Sequence, residues 1–233
     1  MSEPAPQAEP LARRPRPWRR WLTLGLALAG AVGGGYAWLA RSSGGEAQAE
    51  ATLQRIASTV GLALDGQLAN LPAAKPATVH RGDQSADHWQ LQLKATRQSL
   101  EQQLLRHPTA DGHRALGRFY LAEGQPLAAF AHLQLALQQF PRDARLRSDL
   151  GLALLEAARD APEAAAEALD AFAEALRLDP DLLEARYNRA RALEATGRRA
   201  EALDAWRDYA TRDPQSAWGA LARDRIAFLE RYP

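Results

Sequence analysis

The run Tyr187-Asn188-Arg189-Ala190-Arg191-Ala192-Leu193-Glu194 is followed at helical spacing by Ala202, Trp206 and Tyr209 and is closed by Pro214. The same order of small, large and terminating residues recurs upstream. One unit earlier stand Leu150-Gly151 and Leu154, then Ala168, Phe172, Ala175 and Pro180. Before that stand Leu116-Gly117 and Tyr120, then Ala129, Leu133, Ala136 and Pro141. Pro180 and Pro214 are 34 residues apart, and Pro141 and Pro180 are 39 apart, the same period plus a five-residue insertion placed within Ala157–Pro162. A period near 34 with small and aromatic residues at fixed offsets marks stacked helix–turn–helix units.

Packing explains the pattern. Gly117, Gly151 and Ala190 on the first helix of each unit, and Ala129, Ala168 and Ala202 on the second, let two backbones approach closely. Tyr120, Phe172 and Trp206 fill the space between neighbouring pairs. Each proline stops the second helix, because it lacks an N–H donor and its ring clashes one turn back. Gly124 and Gly197 stand where the first helix has to turn. Residues 110–214 thus read as three helical repeats of an all-α solenoid.

These residues resemble the tetratricopeptide repeat family over the 105 residues from Ala110 to Pro214. The resemblance implies that the first helix of each unit lines a concave, peptide-binding face. Carried over by register, that face comprises Asp111, Arg114, Arg118 and Leu121, then Arg145, Ser148, Asp149, Leu152 and Glu156, then Glu184, Tyr187, Asn188, Arg191 and Glu194. The peptide contacts implied on it are Arg114, Arg118, Arg145, Tyr187, Asn188 and Arg191. In this family an asparagine at the place of Asn188 often holds a peptide backbone amide, and arginines hold a carboxylate with their forked donors. Acids and arginines are nearly balanced here, so a peptide ligand is expected rather than a C-terminal carboxylate. Tyr187–Glu194 with Ala205–Tyr209 and Asp213–Trp218 also resembles the repeat region preceding CHAT-type caspase-like proteases of bacteria. The chain has no cysteine, so that kinship implies a stand-alone scaffold.

Composition narrows the function. The chain has 233 residues, 46% of them hydrophobic, enough for one sizeable domain and an anchor. A net charge of +1 gives no bulk attraction for nucleic acid. Without cysteine there is no disulfide, zinc-thiolate site or cysteine nucleophile, a composition that suits an oxidising compartment. His80, His88, His107, His113 and His132 include no i,i+4 pair and no HExxH run. There is no G-x-S-x-G elbow, phosphate loop or dinucleotide fingerprint. No enzyme, metal or cofactor is expected.

The amino-terminal stretch sets the expected topology. Met1–Pro17 is rich in proline and alanine, and residues 1–20 read as a disordered basic tail. Arg13, Arg14, Arg16, Arg19 and Arg20 precede the uncharged run Trp21–Ala40. Twenty residues at about 1.5 Å each span the ~30 Å of bilayer hydrocarbon. Trp18 and Trp21 flank one end, Tyr36 and Trp38 the other. The arginine cluster is expected to stay cytoplasmic, which makes residues 21–40 a single transmembrane signal anchor and exports the remainder. Trp38 blocks the small-x-small pattern of a cleavage site, so the anchor is expected to remain uncleaved. Gly30 and Gly34 form a small-xxx-small pair that would permit a homodimer within the bilayer.

Residues 41–109 read as a linker, Arg41–Gly45, and a helical cap. Leu53, Ile56, Val60, Leu64, Leu68 and Leu71 share one helical face, predicting a helix over Glu46–Leu71 ended by Pro72. A second helix is predicted from Asp87 to Arg106, and residues 215–233 contribute a terminal helix, Ser216–Arg231, covering the last repeat. The layout fits a scaffold or adaptor anchored in a bacterial inner membrane, its repeat domain periplasmic, binding peptide or protein partners. The alternative is an envelope chaperone or assembly factor, similar in layout to periplasmic subunits of the translocon or of c-type cytochrome maturation.

Overall fold

Pro141, Pro180 and Pro214 do end the second helix of each pair. In the computed structural model, which describes residues 43–59, 66–68 and 84–232, each stands two residues after the last helical residue. Among the described residues there are nine helices and no strand. Two of them, α1 (Ser43–Thr59) and α2 (Gln84–Arg106), precede the repeats. The three pairs are α3 (Ala110–Ala122) with α4 (Pro126–Gln139), α5 (Ala144–Ala157) with α6 (Ala164–Leu178), and α7 (Leu183–Ala195) with α8 (Arg199–Arg212). The last helix, α9 (Ala217–Arg231), packs on α8. The described residues are all-helical, with each of α3–α9 packed on the next.

Local chemistry sets the helix ends. Thr109, Asp143 and Ser216 cap α3, α5 and α9, each side-chain oxygen accepting from backbone N–H groups of the first turn. Gly124 and Gly197, at φ of 71° and 70°, end α3 and α7. Their left-handed backbone lets Gln125 and Arg198 return an N–H to the carbonyls of Tyr120 and Leu193, at 2.8 and 2.9 Å. The middle pair has no such glycine and turns through the longer loop of residues 158–163. The five extra residues divide into three in this loop and one in each flanking helix.

The helices of a pair meet where the sequence is smallest. A Cβ on Gly117 would stand 2.6 Å from Leu133 Cγ, and one on Gly151 would stand 2.7 Å from the Phe172 ring. Gly117→Leu should therefore cost about 1–3 kcal/mol by overpacking. Two to four residues inserted in loop 158–163 should cost less than about 0.6 kcal/mol. Urea midpoints compare the two, and a Gly117→Leu midpoint equal to the parent's would refute this pairing. Two buried clusters form the core, one from Ala49 to Ala153 and one from Leu154 to Leu229, with Phe130 packed against both.

The first helices of neighbouring pairs touch, α3 with α5 and α5 with α7, whereas α4, α6 and α8 have no comparable contact with one another. Helices α3, α5 and α7 therefore form a continuous row, called here the inner row. Helix α1 packs against α2 and α3.

Three boundaries differ from the sequence reading. Ser43–Gly45, expected in a linker, begin α1. Helix α2 begins at Gln84, three residues early. The helix expected over Glu46–Leu71 is described to Thr59, and Gly66–Leu68 are not helical. The backbone N–H and carbonyl of Gln67 bond to the Asn188 side chain of α7. Among the described residues no helix is long and apolar enough to cross a membrane. The predicted span Trp21–Ala40, with Gly30 and Gly34, lies outside the described residues.

Candidate functional site

The inner row carries the residues the register assigns to a concave face, and much of that face is covered. Leu121, Ser148, Asp149, Leu152, Glu156, Tyr187 and Asn188 are all buried. Part of the cover comes from the amino-terminal part of the same chain. Glu50 of α1 reaches Arg118 at 2.6 Å, and Arg118 also faces Asp149 at 3.5 Å. Thr109, which caps α3, donates its hydroxyl to Glu46 of α1. A sequence reading of the repeats alone treats α1 as a remote cap and misses these contacts.

The second cover is Gly66-Gln67-Leu68. Asn188 Oδ1 accepts from the backbone N–H of Gln67 at 2.9 Å, and Asn188 Nδ2 donates to the Gln67 carbonyl at 2.7 Å. One side-chain amide thus satisfies both backbone groups of a single non-helical residue, a use that leaves none of the pair unpartnered in a buried place. Asn188 itself is 0% exposed. The Gln67 side chain continues the network, its Nε2 donating to Tyr209 Oη at 2.8 Å. Tyr209 in turn donates to Asp213 Oδ2 at 2.7 Å, and Ser216 Oγ also donates to Asp213. Burial, and the carboxylate beside it, raise the Tyr209 hydroxyl well above its ordinary pKa, so it stays protonated.

Each expected peptide contact has a definite place. Asn188 and Arg191 lie together beside residues 66–67, and Arg191 is held by Glu156, both terminal nitrogens 3.2 Å from Oε1. Tyr187 is 4% exposed and faces inward. Its ring meets Trp206, Tyr209 and Trp218 edge-on at 4.9, 5.2 and 4.9 Å, so its role is packing. Trp218 belongs to α9, and the tandem repeats alone do not reveal that it closes over Tyr187.

Arg114, Arg118 and Arg145 gather around a cleft of about 380 Å³ between α1 and the first two units. Arg114 is committed to Asp111 at 2.5 Å and Asp143 at 3.4 Å. Arg145 is exposed and makes no ion pair with a described residue. The three arginines share the cleft with Glu46, Glu50, Asp111, Asp143 and Asp149, which leaves it net acidic. A carboxylate-bearing ligand therefore meets repulsion there. A second cleft of about 210 Å³ opens beside Gln67 and Tyr209 and reaches Arg145 from the other side. Among the described residues no group of His, Asp and Glu side chains is arranged to hold a metal ion.

Gln67, Glu50 and Asp213 are the site residues sequence reasoning missed. Asp65-Gly66 is a turn dipeptide inside an otherwise helical apolar pattern, and it was the available signal. Comparison of the sequence with models of protein families and with curated proteins returned no match.

Proposed function

We propose that the chain is a tetratricopeptide-like scaffold that binds peptide or protein partners through its inner helical row. We further propose that Trp21–Ala40 anchors it in a bacterial inner membrane with the array on the periplasmic side. One observation carries the binding role: Asn188, on an inner helix, exchanges two hydrogen bonds with the backbone of a non-helical residue. Recognition of that kind reads peptide backbone and needs no reactive group. It fits a binder rather than a catalyst. The resemblance of residues 110–214 to tetratricopeptide repeats supports the same reading, as does the packing of α3, α5 and α7 along one side.

The test is capture of partners on the full chain, repeated with two variants. Asn188→Ala should weaken a captured partner at least about tenfold, because about 1.4 kcal/mol, within the worth of the hydrogen bonds lost, is a factor of ten. Arg177→Ala, on outer helix α6 where Arg177 is exposed and among the described residues pairs only with Glu174 at 2.7 Å, should leave binding unchanged. Equal losses in the two variants would refute the groove assignment. A single stoichiometric partner supports the scaffold, whereas many unfolded chains would support the envelope-chaperone alternative. For topology, a reporter active only in the periplasm, fused after Pro233, should be active, and activity of a cytoplasm-only reporter there would overturn the anchoring.

A further inference from the structure

We propose that the groove at Asn188 recognises a non-helical Gly-Gln-apolar triad, that residues 66–68 of the chain occupy it in cis, and that a partner carrying the same triad enters by displacing them. The proposal rests on the peptide-binding reading of the inner row and adds the chemistry of the ligand.

Each position of the triad is selected by a separate feature. Glycine is required first. A Cβ on residue 66 would lie 2.4 Å from Leu152 Cδ1, 2.6 Å from Arg191 NH1 and 2.8 Å from Asn188 Oδ1. These neighbours have little room to retreat, since Leu152 is 0% exposed and Arg191 is tied to the buried Glu156. Only a glycine lets the next residue approach Asn188 closely enough for both backbone bonds.

The second position needs a side-chain donor of glutamine's length. Tyr209 gives its single hydroxyl hydrogen to Asp213, so toward Gln67 the phenol oxygen can only accept. The Gln67 amide N–H meets that requirement. A glutamate would bring a carboxylate, which has no hydrogen to give, toward Asp213 and Glu184 in the adjoining cleft. The third position is apolar: Leu68 is 2% exposed and belongs to the core cluster that includes Leu53 and Leu116. Asn188, bonding only to backbone, fixes the alignment without reading a side chain.

The cis segment acts as a resident competitor. A site occupied in cis nine times in ten weakens its apparent affinity for a partner about tenfold. The connection between the groove and its occupant spans 121 residues of sequence, so release of the segment breaks no helix of the repeats.

The probe is a labelled synthetic peptide of residues 62–72, titrated against the full chain. Gln67→Pro removes the N–H that Asn188 accepts, and this variant should bind the peptide at least about tenfold tighter than the parent. Adding Asn188→Ala to it should abolish binding, and a peptide carrying Gln67→Glu should bind at least about tenfold more weakly. Equal affinity of parent and Gln67→Pro, or equal binding of a scrambled peptide, would overturn the proposal. Should Gln67→Pro misfold, as read by helical circular dichroism, Gly66→Val displaces the segment by bulk instead. Amide exchange of the parent needs no variant: the Gln67 N–H should be protected and should lose protection in excess peptide. An unprotected Gln67 amide in the parent also overturns it. If a captured partner depends on Asn188 while the peptide binds nothing, this inference fails and the scaffold reading stands. If the peptide behaves as expected while the partner ignores Asn188→Ala, the scaffold assignment fails instead.

Discussion

Trp206→Ala should lower stability by about 3–5 kcal/mol, the largest loss expected of any single substitution in the array. Trp206 is 1% exposed on α8 and packs edge-on against Tyr187 of α7. Its indole N–H donates to Glu194 at 2.6 Å. Removing the side chain opens a cavity among Tyr187, Tyr209 and Trp218, and close-packed aromatic walls collapse poorly into such a space. Glu194 does not become an orphan charge, because Arg225 of α9 also holds it. The cavity therefore dominates the loss, and Trp206→Phe, which refills most of it, should lose less than half as much. Repeat arrays couple chiefly between neighbours. The damage should be local: in native-state amide exchange, α7–α9 should open before α3–α4. A uniform loss of protection across all pairs, or a Trp206→Ala urea midpoint within error of Trp206→Phe, would contradict this account.

The repeats were legible because their determinants are local or periodic. Pro141, Pro180 and Pro214 stop helices through their own covalent structure, and Gly124 and Gly197 turn them through a φ that other residues avoid. Gly117 and Gly151 announce close contact because nothing larger fits opposite Leu133 and Phe172. The insertion expected within Ala157–Pro162 lies only partly in the loop: three of its residues lengthen loop 158–163 and one lengthens each flanking helix. What covers the inner row was not legible. Leu64, Leu68 and Leu71 keep helical spacing, and that pattern outweighed Asp65-Gly66, the one hint of a break. The pairing of Asn188 with Gln67 joins residues with no periodic relation, so no local rule anticipates it. The resemblance implies that Asn188 holds a peptide backbone, and the backbone it bonds to here is that of Gln67 in the same chain. The register puts Tyr187 on the open face, and a terminal helix covering the last repeat does not by itself indicate that Trp218 meets the Tyr187 ring.

Acid should destabilise the array through one pair of histidines. His113 of α3 and His132 of α4 face each other with their Nδ1 atoms 2.9 Å apart, and the Tyr120 ring stacks on His132 at 5.4 Å. At that distance one ring nitrogen donates and the other accepts, so the contact cannot survive with both rings protonated. Burial is the main cause that pulls the His132 pKa from 6.5 down to about 4. The charge of His113 is the second cause of that fall, while Glu101, which accepts from the Tyr120 hydroxyl, opposes it. Burial lowers His113 as well. Since the folded values lie below the unfolded ones, the unfolded chain binds the extra proton as pH falls. The stabilisation is thus complete above about pH 6.5 and is lost progressively as pH falls through His132's folded value near 4. Between pH 7.5 and 5.5 the parent should lose about 1–2 kcal/mol by this route, at about 1.4 kcal/mol per pH unit of proton-linked change. The window lies above the range where most carboxylates begin to titrate, so it isolates the histidines. His132→Phe keeps a stacking ring beside Tyr120 but has nothing to protonate. Its urea midpoint should therefore fall less between pH 7.5 and 5.5 than the parent's, with the difference worth about 1 kcal/mol. Parallel pH profiles for the two proteins would show that the His113–His132 contact is not what acid disrupts.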